Sequence, residues 1–354
     1  MCPLLLLVRL TTQTRSMYCM KQIFTVVLIL ITSLLSVANA QAEGFGPKDF
    51  TFVEDKWTAV VAAYEPEIAA IDAAFAAMDD AQITETVHFR GVKYQLGNYK
   101  GEPIVVFSTG VSVTNAAMTV QMALDYFPID TLVMMGIAGA INPKFTPGDI
   151  AVPERWYYHD ESVYVNPKSG SDHEFELPNY YIAQLEQYAL RNTSNLHTPR
   201  YDNLGFIHPN EVAVVREGWD TRQRMPYFSA TPELLSMTQQ AIESIPAITM
   251  PSGKPIKVNV GGNGVTGSVF VDNAEYRQWL RDVFSADVAE MESAAVAQVC
   301  FVNDIDWVII RSVSDLAGGQ KGKNEENVFD AIASGTGTKL LLGLLDQVVE
   351  KDAK

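Results

Sequence analysis

The sequence predicts one α/β domain: a central mixed, twisted sheet flanked by helices and interrupted by a long insertion. Three observations predict it. From Trp57 onward, short β-rich runs alternate with segments of helical period. Two of the runs, Thr131 to Met135 and Trp307 to Ile310, are apolar apart from Thr131, as buried strands are. A chain of 354 residues, 47% hydrophobic and 19% charged, is also long enough to bury a large core.

The domain is expected over 57–350. Ahead of it, residues 1–40 read as a signal peptide, with Lys21 as the positive start, Ile23 to Val37 as the apolar core and Ala38-Asn39-Ala40 as a small-x-small cleavage site. Residues 41–56 read as a linker. The apolar core is about 15 residues, short of the roughly 20 a membrane span needs. Cleavage after Ala40 is therefore favoured over an uncleaved anchor, with Met17 and Met20 as alternative starts of translation. The expectation is an exported protein, periplasmic or secreted, with no membrane attachment after cleavage.

Cleavage removes Cys2 and Cys19 and leaves Cys300 alone, so no internal disulfide can form. Its Ala/Val-rich surroundings suggest a buried, inert thiol. Loss of Arg9, Arg15 and Lys21 takes the net charge from −16 to −19. An acidic chain without a run of basic residues argues against a nucleic-acid surface and fits a small cationic or neutral ligand.

Trp57 to Ala63 reads as the first strand, and Pro66 to Met78 as an Ala-rich helix begun by proline. Val87 to Leu96 and Pro103 to Ser108 read as paired strands around an Asn98-Tyr99-Lys100-Gly101 turn. Val113 to Tyr126 is helical by period. The strand Thr131 to Met135 leads into Gly136-Ile137-Ala138-Gly139-Ala140, read as a small-residue loop that brings backbone, Ala138 included, close to a ligand. Asp149 to Pro153 starts another strand. From 161 to 225 periodicity weakens, and the stretch reads as an insertion, with Tyr157, Tyr158 and Tyr164 at its beginning.

Order resumes at Thr231-Pro232-Glu233, an N-cap with proline and an acid in the first turn of a helix that runs to Ser244. Ile256 to Gly261 reads as a strand, Asp272 to Phe284 as a helix, Val288 to Glu290 as a strand end and Ala294 to Val302 as a helix. Trp307 to Val313 is a buried strand, and Asn324 to Val349 is the closing helix.

Four places set polar groups at the ends of apolar elements, where α/β folds build their sites. In Glu290-Met291-Glu292 one carboxylate would face a cleft, accepting hydrogen bonds from vicinal hydroxyls, and the other a structural partner; an exposed acidic turn is the plainer reading. In Arg311-Ser312-Val313-Ser314-Asp315, Asp315 suits general-acid work if burial raises its pKa, against a helix cap with an ordinary ion pair. Glu67 in Tyr64-Glu65-Pro66-Glu67 is either functional or a first-turn acid on the helix dipole. Phe270 in Thr266-Gly267-Ser268-Val269-Phe270-Val271 offers a flat face, or belongs to the core.

Taken together and in this order, these segments resemble the nucleoside phosphorylase superfamily, and within it most closely the methylthioadenosine/S-adenosylhomocysteine nucleosidases. The resemblance covers about 58–160 and 226–345, and includes Met135 to Gly139 and Pro147 to Ile150. It implies a phosphorylase/hydrolase-like fold and cleavage of the N-glycosidic bond of a purine nucleoside, of adenosine or 5′-methylthioadenosine type, in nucleoside salvage. Asp315 would protonate N7 of the leaving purine, held by Arg311 and Ser314. Glu292 would bind the ribose hydroxyls with Met291 packed on the sugar. Phe270 would stack on the base, the Val271 backbone would read its edge, Glu67 would position the attacking water, and Phe329 would close over the 5′ side. The chain departs from the family pattern at Ile137, where a Ser or Thr is usual, at Ser268, where adenine-specific nucleosidases carry Asp, and at Ser112, which replaces a loop Gly.

An oxocarbenium-like transition state needs an acid on the base and a base for water on the other face. Neither job requires a metal or cofactor, and none is expected. Water is favoured over phosphate because Leu132 to Gly136 lacks the Arg that bacterial phosphorylases carry, and Glu67 would repel phosphate. The alternatives are a phosphorolytic purine nucleoside phosphorylase and a non-catalytic nucleoside-binding or storage protein. A homo-oligomer is expected by analogy with relatives.

Overall fold

The computed structural model describes residues 56–170, 175–182, 204–324 and 326–352, with the backbone alone at 326–329 and 352. The signal-peptide and linker readings lie outside the described residues. Twelve strands make one mixed sheet in the order β12-β7-β14-β15-β5-β1-β4-β3-β2, with β16, β6 and β13 joined along one flank. This is the architecture expected from the sequence.

At its centre β1 (Trp57–Ala62) runs parallel to β4 (Glu102–Ser108) and to β5 (Ile129–Ala140). On the other edge of β5 lies β16 (Asp306–Asp315), also parallel, pairing from Thr131 to Gly139. All five residues from Val106 and Val133 to Val308 and Ile310, with Met135, are sealed from solvent. They pack against Leu340, Leu341, Leu344 and Leu345 of the closing helix α6 (Glu326–Asp352), with Leu234 and Ala241 of α3 (Pro232–Ser244) and Ile71 of α1 (Glu65–Ala76). A second core joins β14 (Asn263–Thr266) and β15 (Ala286–Glu290) to Trp279, Leu280 and Phe284 of α4 (Ala274–Phe284). The remaining helices are α2 (Val113–Tyr126) and α5 (Ser293–Asn303).

The small-residue stretch Gly136 to Ala140 is part of strand β5 and not the loop expected. Pairing with β16 continues through it as far as Gly139, and backbone ladder bonds outweigh the weak strand preference of Gly and Ala. On its other edge β5 changes neighbour. Pairing with β1 ends at Val61 opposite Met134, and pairing with β15 begins at Ala289 opposite Gly139. The edge from Met135 to Ala138 is thereby left open between two diverging strands, and the site forms there.

Two other expectations are corrected. Tyr157 and Tyr158 belong to β7 (Arg155–Tyr158) of the main sheet and not to the insertion, because β7 pairs parallel to β14 over its whole length. The expected strand pair is a three-stranded meander of β2 (Ala81–Phe89), β3 (Val92–Tyr99) and β4. Its first turn is at Arg90-Gly91 and its second at Lys100-Gly101, all four residues with positive φ. Where the insertion is described it carries two short antiparallel pairs, β8 (Ser162–Tyr164) with β9 (Ile207–Pro209), and β10 (Val212–Val214) with β11 (Gln223–Met225). The remaining strands are β6 (Ile150–Val152), β12 (Phe228–Ser229) and β13 (Val258–Val260). Among the described residues no helix is long and apolar enough to cross a membrane.

Candidate active site

Glu67 sits in the first turn of α1, directly after β1. Its Oε2 accepts hydrogen bonds from the backbone N–H of Ala63 (2.8 Å) and Tyr64 (3.1 Å), and Oε1 accepts one from Ile137 N–H (2.8 Å) on the open edge of β5. One carboxylate thus bridges two strands. Burial pushes its pKa above the ordinary carboxylate value, opposed first by Arg311 and then by the three N–H donors. A first-turn acid on the helix dipole and a cavity-facing carboxylate are here the same residue.

Arg311 enters from β16 and is 1% exposed. It pairs with Glu290, lies 3.4 Å from Glu292 and 3.9 Å from Glu67, and donates to Ser293 Oγ (2.8 Å) and to the Ile137 carbonyl (3.2 Å). The role implied for it, holding Asp315, is not what the structure shows. Four strand positions separate the two residues, roughly 13 Å of chain, and the guanidinium turns instead toward three carboxylates.

Glu290 and Glu292 divide the work. Glu290 is enclosed by Thr266, by Arg311, by the N–H of Glu292 (3.0 Å) and by Ser293 N–H (2.9 Å) and hydroxyl (2.8 Å). Glu292 accepts a 2.8 Å bond from Ser112 N–H. Burial first, then the neighbouring Glu290, pushes its pKa to about 8 against the pull of Arg311. Ser112 holds φ 88° and ψ 151°, a region natural to glycine; this strain turns its N–H onto the carboxylate. Its hydroxyl lies 3.2 Å from that of Ser268, whose N–H is bound by Asp160 Oδ2 at 2.6 Å.

Asp315 ends β16 at 7% exposure. Ser314 Oγ donates to Oδ2 (2.9 Å), Ala317 N–H to Oδ1 (2.7 Å), and Asn324 Nδ2 reaches Oδ1 at 3.4 Å. This carboxyl is oriented by short local bonds.

These groups meet in one cavity of about 200 Å³. Of the residues singled out from sequence, Glu67, Ala138, Phe270, Val271, Glu290, Met291, Glu292, Ser314 and Asp315 line it, and Arg311 lies beneath. Phe329 falls in the first turn of α6, its side chain outside the described residues. Sequence reasoning had Ile137 and Gly139 within the stretch brought close to a ligand, but missed Ala63, Tyr64, Val111, Val269 and Ala289 as lining residues, and Asp160 as the residue that fixes the Ser268 loop. Tyr64 was detectable, since it stands at a strand end just before a helix start; Val111 and Val269 carry no local signal. Val269 and Phe270 are 45% and 57% exposed, so the rim is apolar and open. Among the described residues no three His, Cys, Asp or Glu are grouped to hold a metal ion.

Comparison with known proteins agrees with this geometry. Residues 58–346 match the model of the phosphorylase superfamily. The chain is 26% identical over 293 residues to a 5′-methylthioadenosine/S-adenosylhomocysteine nucleosidase of Colwellia psychrerythraea, covering 82% of this chain and 96% of that one. It is 29% identical over 234 residues to bark storage protein A of Populus deltoides, 66% of this chain and 71% of that one. The crystal structure of the Colwellia nucleosidase in complex with adenine superposes with a TM-score of 0.57 at 22% identity, over 83% of this chain and 96% of that one. A match that runs through both diverging strands, the three carboxylates and the closing helix places this chain in the phosphorylase superfamily.

Proposed function

We propose that this protein hydrolyses the N-glycosidic bond of a purine nucleoside and releases the free base. The observation that carries this reading is the convergence of Glu67, Glu292 and Asp315 on one cavity under the exposed ring of Phe270. Phe270 stacks on the purine and the Val271 backbone meets its edge. Glu292 accepts hydrogen bonds from the ribose hydroxyls, and Met291 packs on the sugar. As the C1′–N9 bond breaks, its electron pair leaves with the purine and Asp315 delivers a proton to N7. Glu67 receives a proton from the water that bonds to C1′ on the opposite face. The carboxylates stabilise positive charge on the sugar in the transition state.

Water is preferred to phosphate because no Lys, Arg or His is among the described residues lining the cavity, and Arg311 is committed to Glu290 and Glu292. An anion would meet carboxylates and no partner. The likeness to nucleosidases supports hydrolysis; the likeness to a bark storage protein favours, as the second reading, a protein that binds nucleoside without turnover. Export through residues 1–40 and assembly of like copies over the exposed Val111, Val269 and Phe270 belong to the same proposal.

The test is free-base release from adenosine, inosine, guanosine and methylthioadenosine, with and without phosphate, beside an Asp315→Asn variant. Release independent of phosphate, lowered about 10²- to 10⁴-fold in the variant, is expected. Release only with phosphate makes it a phosphorylase; nucleoside binding without release makes it a binding protein.

A further inference from the structure

Two loops supply the exposed rim of the cavity. One, at 109–112, joins β4 to α2 and brings Val111 to the wall; the other, at 267–271, follows β14 and brings Val269, Phe270 and Val271. The second loop is seated where it begins. Gly267 passes so close to the end of β7 that a Cβ there would lie 2.5 Å from the His159 ring and 3.0 Å from Asp160 Cγ. His159 is itself fixed, buried with its Nδ1 2.7 Å from the Tyr276 hydroxyl, and Asp160 Oδ2 accepts the Ser268 N–H at 2.6 Å. Beyond Ser268 the loop stands in the open, with Val269 and Phe270 both exposed. An exposed ring that stacks on a ligand loses less entropy on binding when its loop is already held.

A second hold comes from the first loop. Ser112 Oγ donates to Ser268 Oγ at 3.2 Å, across 156 positions of sequence. Ser112 makes this contact at φ 88° and ψ 151°, a conformation that strains every residue but glycine. A glycine would present the same N–H to Glu292, bonded at 2.8 Å, without that strain. What the serine adds is the hydroxyl. Ser112 and Ser268 are also two of the three positions at which the chain departs from the family pattern, and folding sets these two departures against each other.

We propose that the Ser112 and Ser268 hydroxyls form a clasp between the ribose-binding and base-stacking loops. Both serines are positioning residues. Ser112 places Glu292 through its N–H, Ser268 places Phe270 through the loop they share, and the clasp keeps the two in register for a ligand that carries a sugar and a base together. The use of the clasp rests on the nucleoside reading of the cavity; its existence as a link between the loops does not.

The experiment compares the unaltered protein with Ser112→Gly, Ser268→Ala and the double variant, all of which keep the backbone N–H groups that serve Glu292 and Asp160. In the ligand-free proteins, hydrogen–deuterium exchange should quicken about three- to tenfold, the worth of one hydrogen bond, in the loop that was not substituted: 266–271 in Ser112→Gly and 109–112 in Ser268→Ala. KM for adenosine and inosine should rise by a similar factor with kcat held, because Asp315 and Glu67 stand on other elements. The melting temperature of Ser112→Gly should hold or rise as the strain is relieved, which separates loss of the clasp from loss of the fold. Ser268→Thr, which keeps a hydroxyl, should restore both readouts. The double variant should be no worse than the weaker single one, since either substitution removes the whole contact. Faster exchange confined to the substituted loop, or effects on KM that multiply in the double variant, overturns the proposal. If nucleoside is bound but not cleaved, the hydrolytic reading fails and the same cycle of dissociation constants, from titration calorimetry, decides the clasp's role. If none is bound, the nucleoside reading fails and the exchange rates alone decide the clasp.

Discussion

At the scale of single residues, the site is a problem in charge balance. Glu67, Glu290 and Glu292 share one guanidinium in a buried space, and three carboxylates cannot all ionise cheaply beside one cation. Glu292 absorbs the imbalance, its pKa raised to about 8. Between the unfolded carboxylate value near 4.5 and about 8, the folded protein therefore holds a proton that the unfolded chain has lost. The resulting stabilisation is full below pH 4.5 and lost as pH rises toward 8. Melting temperatures of Glu292→Gln and the unaltered protein, measured from pH 5 to 8, should diverge in the variant's favour as pH increases; parallel curves would remove Glu292 as the titrating group. The presence of these residues was legible in the sequence because polar groups at the ends of apolar runs stand out. The partner of Arg311 was not legible. Asp315 is four positions away, while Glu67 and Glu290 are distant in sequence and meet the guanidinium only after folding.

At the scale of elements, everything depends on β5 serving two sheets' worth of neighbours in turn. Gly136 lies opposite Arg311 in the ladder, and a Cβ there would sit 2.2 Å from Arg311 Nη1 and 2.7 Å from Glu67 Oε1. Gly136→Ala should therefore destabilise by about 1–3 kcal/mol through overpacking and cut free-base release at least tenfold, because it displaces both charged groups. An alanine variant with unchanged melting and turnover would show that the strand can flex around the site. The closing helix obeys the same logic. Gly337 of α6 approaches the sheet so closely that a Cβ would lie 2.8 Å from Ser312 Oγ, which explains a helix-interior glycine that otherwise costs about 1 kcal/mol. Helices were readable from period and caps. The extension of β5 through Gly136 to Ala140 was not, since Gly and Ala have little preference for strand and only the adjoining β16 holds them there.

At the scale of the whole molecule, Cys300 of this acidic chain is buried and free, and among the described residues hydrophobic clusters hold the sheet to its helices. If residues 1–40 direct export as proposed, intact-mass analysis of protein from the periplasm or medium should find Gln41 as the first residue; retention of the apolar segment in membranes would refute cleavage. The sequence by itself determined the α/β class, the order of most elements, and the polar positions that come together at the cavity, because period, caps and polar interruptions are local signals. Only the tertiary structure decided that Arg311 balances three carboxylates, that the β5 edge opens between β1 and β15, and that Tyr64 meets Asp330 across 266 positions. Those facts arise from contacts between segments far apart in the chain, and burial fixes their energies only once the sheet has formed.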